Sequence, residues 1–234
     1  MRSLERTGLT FRIVFAGSGE PFLIPNLVDA IRVLTDKHFV GIHTNLTLEK
    51  PVFDFIERVR PERVLKIHAS AHLEELARTG RMDCFVRCFH GLQRRGFPVI
   101  AEAVAHPDLL TQLPDYKREF QLMGIDLKFC AFVGECEGRV YPDSYSLEER
   151  KTFDLGDPAI FRTRGKLCNA GFNVGLVLPN GDIQFCSEVD RRIGNIYDRI
   201  NFSKAPAICP AERCRCPFYA YDKRLFRIAK EMAQ

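Results

Sequence analysis

The sequence predicts an α/β protein, with a parallel sheet of βα units followed by a small cysteine-rich domain. Three observations carry this reading. Between residues 11 and 133, short apolar runs alternate with amphipathic stretches. Polar residues recur where the apolar runs end. Of the nine cysteines, Cys168, Cys186, Cys209, Cys214 and Cys216 crowd into the last third of the chain.

The elements follow in order. Phe11 to Ala16 reads as a buried strand, stopped by Gly17-Ser18-Gly19. Ile24, Leu27, Val28, Ile31 and Leu34 have helical spacing. Phe39 to His43 is a second strand, ended by Thr44-Asn45, and Pro51 opens a helix to about Val59. Arg63 to Ala69 is a third strand; His72 to Leu76 and Met82 to Arg95 are helical. Pro98 to Val104 is a fourth strand, Pro107 to Met123 a helix, and Leu127 to Phe132 a fifth strand. Such alternation over short loops gives right-handed βαβ units, in an open doubly wound sheet or in part of a (β/α) barrel. In both, the site lies at the C-terminal strand edge. Here that edge would carry Ser18 and Glu20, Thr44 and Asn45, His68 and Ser70, and Glu102 and His106.

Past about Glu135 the alternation breaks. Ser146 and Glu149 have capping-box spacing for a short helix. Val174 to Leu178 and Ile183 to Phe185 flank Asn180-Gly181, a strong hairpin-turn signal. Tyr219, Tyr221, Arg224, Arg227 and Lys230 belong to a closing helix with a solvated basic face. No repeat or low-complexity tract is visible.

Composition narrows the function. With 234 residues, 46% hydrophobic and 27% charged, the chain has an ordinary globular mixture, which excludes disorder, collagen and coiled coil. The net charge of +4 comes from basic and acidic residues spread along the chain, so no nucleic-acid partner is indicated. No apolar run reaches the roughly 18–20 residues of a membrane span, and the first residues hold no apolar signal segment. An odd cysteine count without such a signal fits a reducing, cytoplasmic setting. Cys168, Cys186, Cys209, Cys214 and Cys216 read as a metal site. A hairpin at Asn180-Gly181 joins the Cys168 and Cys186 ends, and a returning segment supplies further thiolates. Four thiolates hold either zinc or an iron–sulfur cluster.

Cys168–x12–Gly181–x4–Cys186 followed by a cysteine group resembles the SPASM or twitch extension of radical S-adenosylmethionine (radical SAM) proteins. Gly17-Ser18-Gly19-Glu20-Pro21 after the first strand resembles that family's Gly-Gly-Glu-Pro motif. The resemblance spans roughly residues 11–220. It implies an incomplete (β/α) barrel of TIM type over residues 1–155 and a SPASM/twitch-like domain over 156–234. Gly17, Ser18, Gly19, Glu20, Asn45 and Ser70 would line the cofactor, and the five late cysteines would hold an auxiliary 4Fe-4S cluster. It also implies S-adenosylmethionine as cofactor in complete relatives, a peptide or small-molecule substrate, and an electron donor as partner.

The family's C-x-x-x-C-x-x-C loop is missing from the sequence as given. Cys84 and Cys88 have its first spacing, but Gly91 stands at the third position, and the pair reads as helix packing. The expectation is a truncated or degenerate member that does not itself cleave S-adenosylmethionine. The alternative is a non-catalytic binding module with structural zinc. Among single residues, Glu20 would either accept a hydrogen bond from an ammonium group or fix the backbone amides of its turn. Glu102, inside an apolar strand, needs a ligand or a basic neighbour such as Arg87. His68 is either a ligand contact or a satisfied core group; His72, His90 and His106 read as ordinary loop or surface histidines.

Overall fold

The computed structural model of the chain describes residues 4, 6–17, 19–156, 162–212 and 214. The chain divides into two compact units, residues 10–156 and residues 1–9 with 157–234.

In the larger unit, strands β1 (Arg12–Phe15), β2 (Phe39–Thr44), β3 (Val64–Ser70), β4 (Val99–Ala105) and β5 (Leu127–Ala131) form one parallel sheet in sequence order. A doubly wound sheet would reverse its order at a switch point. The unbroken order is that of a barrel wall, with every crossover progressing the same way. Helices α1 (Leu27–Leu34), α2 (Glu49–Arg58), α3 (Leu73–Thr79), α4 (Met82–Arg94) and α5 (Leu113–Leu122) fill the crossovers.

Period-two alternation assigns the two faces of the sheet. In β4, Ala101, Ala103 and Ala105 are buried and belong to the same core as Ile31, Phe55, Phe85 and Phe120 of the helices. Ile100, Glu102 and Val104 point the other way, in register with His68, with Ser70 and Lys128, and with Cys130 of neighbouring strands. On this second face Val14 and Val104 remain 37% and 44% exposed. Most of the buried apolar weight thus lies on the helix side, and the opposite face carries Arg12, His43, Lys66, His68, Ser70, Glu102 and Lys128, with Phe39 buried beside Arg12 at the start of β2.

Prolines account for the shifted helix boundaries. The first helix begins at Leu27 rather than Ile24, because Pro25 cannot sit inside it and Asn26 adopts φ 61°. The expected 107–123 helix splits into a 3-10 turn at Pro107–Leu109 and α5, whose second residue is Pro114. The Pro114 ring would clash with the carbonyl of a continuing turn, so it opens a new helix instead. Pro51 falls in the first turn of α2, where its missing N–H costs nothing.

After β5 the unit adds an antiparallel hairpin, β6 (Gly134–Cys136) and β7 (Arg139–Tyr141). Its two-residue turn, Glu137-Gly138, has φ 50° and 72°, the left-handed pair of a type I′ turn. Helix α6 (Leu147–Phe153) starts with the expected capping box: Ser146 Oγ accepts the Glu149 N–H, and Glu149 accepts the Ser146 N–H.

In the smaller unit, β9 (Leu176–Val177), β10 (Asp182–Gln184) and β11 (Arg192–Asn195) make an antiparallel sheet, turning at Pro179 to Gly181. Strand β8 (Leu167–Cys168) pairs with β12 (Ala207–Ile208). The proposed basic face of Arg224, Arg227 and Lys230, with Tyr219 and Tyr221, lies outside the described residues.

Candidate functional site

Glu20 sits at the C-terminal edge of the sheet, between β1 and a short 3-10 turn at Pro21–Leu23. Its Oε1 accepts the Phe22 N–H at 3.1 Å and the Thr44 hydroxyl at 2.7 Å. Its Oε2 accepts the Asn45 N–H at 2.7 Å. In these contacts Glu20 fixes backbone amides, the second of the roles read from the sequence, and ties the end of β1 to the end of β2. The Asn45 side chain is also engaged locally, accepting from the Thr47 N–H at 3.0 Å and its hydroxyl at 2.7 Å. Gly17 and Gly19 have φ 143° and 108°, where only glycine is comfortable, and nothing lies within 4 Å of where a Cβ would stand. The edge therefore offers bare backbone and open space beside a rigid clasp. Ser18 lies outside the described residues.

The second cluster is on the open face. His68 on β3 directs Nδ1 at Glu102 Oε2 on β4, 3.5 Å away, in the range of an ion pair but long for a hydrogen bond. That buried nitrogen has no well-formed hydrogen bond. His68 holds the Glu102 carboxyl below its usual value, with Lys66 and His43 adding to the pull. His43 on β2, in register with His68, packs against it with ring centroids 4.3 Å apart and the rings tilted by 35°. Burial lowers the His43 pKa, and the adjacent His68 lowers it further. Ser70, in register with Glu102, makes no side-chain hydrogen bond among the described residues. The face thus presents an imidazole nitrogen, a hydroxyl and a carboxylate with spare hydrogen-bonding capacity, together with the cations Arg12, Lys66 and Lys128.

Arg87 is not the partner of Glu102. It lies on α4 and pairs with Glu49 of α2 at 2.8 Å. Residue 87 is on a crossover helix, on the far side of the sheet from Glu102. Cys84 and Cys88 follow the same helix. Cys88 is buried in the core, and burial pushes its thiol up to about 12, while the Cys84 thiol contacts the Leu46 carbonyl. His90 is held by the Met123 carbonyl at 2.8 Å. His43 was not singled out from the sequence. Its signal was available: a histidine at the end of an apolar strand beside Thr44.

In the smaller unit Cys168, Cys186, Cys209 and Cys214 are all buried. Cys168, Cys186 and Cys209 share one core with Ile183, Phe185 and Ile193. Burial raises the Cys168 and Cys186 thiols, and the proximity of Cys209 and Cys214 raises both further. Backbone N–H groups are aimed at the sulfurs: Ala170 donates to Cys168 at 3.4 Å, and Glu188 and Val189 donate to Cys186. Such N–H groups stabilise thiolate, whereas burial and mutual repulsion oppose it. A cation among the sulfurs would resolve that conflict. No three of these four sulfurs lie within 4.8 Å of one another. Cys216 lies outside the described residues.

No family model matches the chain, and no curated protein does. Solved structures do. The anaerobic sulfatase-maturating enzyme anSMEcpe with bound AdoMet superposes with a TM-score of 0.58 at 15% identity, covering 85% of this chain and 66% of that one. The same enzyme with bound AdoMet and Kp18Cys peptide gives 0.55 at 15% identity, covering 82% and 66%. A His-tagged form with bound AdoMet gives 0.53 at 16% identity, covering 79% and 60%. The chain therefore spans less than two thirds of each of these structures, and over most of its own length it has their fold.

Proposed function

We propose that the chain is an iron–sulfur protein of the radical SAM type. Its parallel sheet would offer one edge and one face to S-adenosylmethionine and to a peptide or small-molecule substrate, and its smaller unit would carry an auxiliary 4Fe-4S cluster. The observation that carries this reading is the set of four buried thiols, two of which, Cys168 and Cys186, have backbone N–H groups turned toward them. The number and order of the late cysteines, which resemble a SPASM or twitch extension, support a cluster over zinc. Likeness to an enzyme with bound AdoMet and peptide supports the ligand classes.

Bound S-adenosylmethionine and a reduced cluster supply radical chemistry in such proteins. The contribution of this chain would be positional. The Glu20 clasp keeps the β1 and β2 ends rigid while Gly17 and Gly19 let a ligand approach the backbone. Lys66 suits a ligand carboxylate, with Lys128, paired with Asp126 at 2.7 Å, nearby; His68, Ser70 and Glu102 suit its amino and hydroxyl groups. Cys84 and Cys88 are committed to the α4 packing face, so they do not replace the absent C-x-x-x-C-x-x-C loop. We therefore propose that the chain as given does not cleave S-adenosylmethionine on its own. Anaerobic reconstitution with iron and sulfide tests the cluster: a brown protein with broad charge-transfer absorption is expected, and a colourless zinc-loaded protein would favour the structural-zinc alternative.

A further inference from the structure

Three metal-binding side chains meet away from the cysteine unit. His106 follows β4 directly, Asp108 lies in the Pro107–Leu109 turn, and Cys136 ends β6. One ligand atom from each lies within 4.8 Å of the other two. Asp108 stands between its partners: Oδ2 is 3.4 Å from His106 Nδ1, and Oδ1 is 3.8 Å from Cys136 Sγ. A tetrahedral ion with bonds of about 2.0–2.3 Å spaces adjacent donors about 3.3–3.8 Å apart. Asp108 reaches each partner with a different oxygen near that spacing, and the three donor atoms lie within 4.8 Å of one another, close enough for one ion to draw them together.

The elements beneath them are rigid. Phe132 packs edge-on against the His106 ring at 4.6 Å. Pro107 fixes the turn that carries Asp108, and the type I′ turn holds Cys136 in register with Arg139. His106 Nδ1 also accepts the Asp108 N–H at 3.4 Å, a local cap that keeps these two close; nothing in that cap brings in Cys136, which arrives on the hairpin.

We propose that His106, Asp108 and Cys136 form a three-ligand site for a divalent cation of the zinc class, with its fourth position open. The donor set selects the ion. A thiolate and an imidazole disfavour magnesium and calcium, and one sulfur is too few for an iron–sulfur cluster. The Asp108 side chain is 66% exposed, so the remaining coordination position reaches solvent. Three protein ligands with an exchangeable fourth is the arrangement of zinc sites that bind a water or a ligand. This site is independent of the cluster proposed for the smaller unit and of the fate of S-adenosylmethionine.

The test is zinc titration of the chelator-stripped full chain against a competing chromophoric chelator, for the wild type, His106→Ala, Asp108→Ala and Cys136→Ser. The four buried thiols of the smaller unit are the same in all, so they contribute equally. The wild type should bind one more equivalent than each variant. Loss of a supporting outer partner already weakens metal sites about 10–100-fold, so loss of a ligand should cost at least about 100-fold. With cobalt, subtracting the Cys136→Ser spectrum from the wild type should leave a thiolate-to-cobalt charge-transfer band. Asp108→Ala alters an exposed side chain and leaves the core intact, so it decides the matter should the other variants misfold. Equal zinc equivalents in wild type and Asp108→Ala, or a cobalt difference spectrum without that band, would overturn the proposal.

Discussion

Thr44 donates its hydroxyl to Glu20 Oε1 at 2.7 Å, and the neighbouring Asn45 N–H donates to the other oxygen of the same carboxylate. One side chain thus joins the ends of two adjacent parallel strands, and it does so with charge-assisted bonds on a half-buried group. The edge where a ligand would enter is held by the protein itself before any ligand arrives.

Breaking that clasp should be costly. Glu20→Gln removes the charge and leaves an amide group facing two N–H donors, so a loss of about 1.5–3 kcal/mol is expected from hydrogen bonds to a charged group. Thr44→Val removes one partner, and the two changes should be less than additive because they share a bond. Urea unfolding midpoints of both single variants and the double variant measure this. Fully additive losses would show that the two residues do not act together.

The packed histidines predict an acid sensitivity. A histidine with a lowered pKa binds fewer protons in the folded state than in the unfolded one. His43 therefore has no effect on stability well above its ordinary value of 6.5, and stability falls as pH drops from there through the lowered value. Glu102 acts at lower pH. Its stabilising contribution is present above its ordinary value of 4.5 and is lost as pH falls through the depressed one. His43→Gln should flatten the decline just below about pH 6.5, and Glu102→Gln the decline below about pH 4.5. Urea midpoints from about pH 2.5 to pH 8 provide the check. A His43→Gln profile parallel to the wild type would contradict the assignment.

Helix α6 depends on its first residue. Ser146→Ala removes the bond to the Glu149 N–H and should cost about 1 kcal/mol, while Ser146→Asp should retain most of the stability. Thermal unfolding of the two variants distinguishes a capping effect from a general surface change. Equal losses in both would argue against the cap.

The reconstituted chain, incubated anaerobically with dithionite and S-adenosylmethionine, should release no 5′-deoxyadenosine. Chromatography reads the product directly. Turnover above that of a Cys168→Ala, Cys186→Ala control would mean that the smaller unit supplies an open iron site.

The βα alternation was legible because each strand is a short apolar run and each helix has an apolar stripe, so periodicity alone separates them. The choice between a doubly wound sheet and a barrel wall was not legible, since it depends on strand order, which local pattern does not encode. Glu20, between glycines at a strand end, could be singled out, but its partners Thr44 and Asn45 come from the next βα unit. His43 and His106 were passed over for the same reason. A histidine gains meaning from what faces it: His68 comes to face His43 only through sheet register, and Cys136 comes to face His106 only through a hairpin, while Asp108 beside His106 was a local neighbour. The hairpin itself had a signal in Glu137-Gly138, masked by the short strands on either side.

The central claim is that the late cysteines hold an iron–sulfur cluster. Iron and acid-labile sulfide per chain, measured after anaerobic reconstitution and desalting, test it most directly. About four of each are expected in the wild type, with loss of both in the Cys168→Ala, Cys186→Ala variant and retention in Cys84→Ala, Cys88→Ala. Iron and sulfide near zero in a folded wild-type chain, or equal amounts in the variant lacking Cys168 and Cys186, would contradict it.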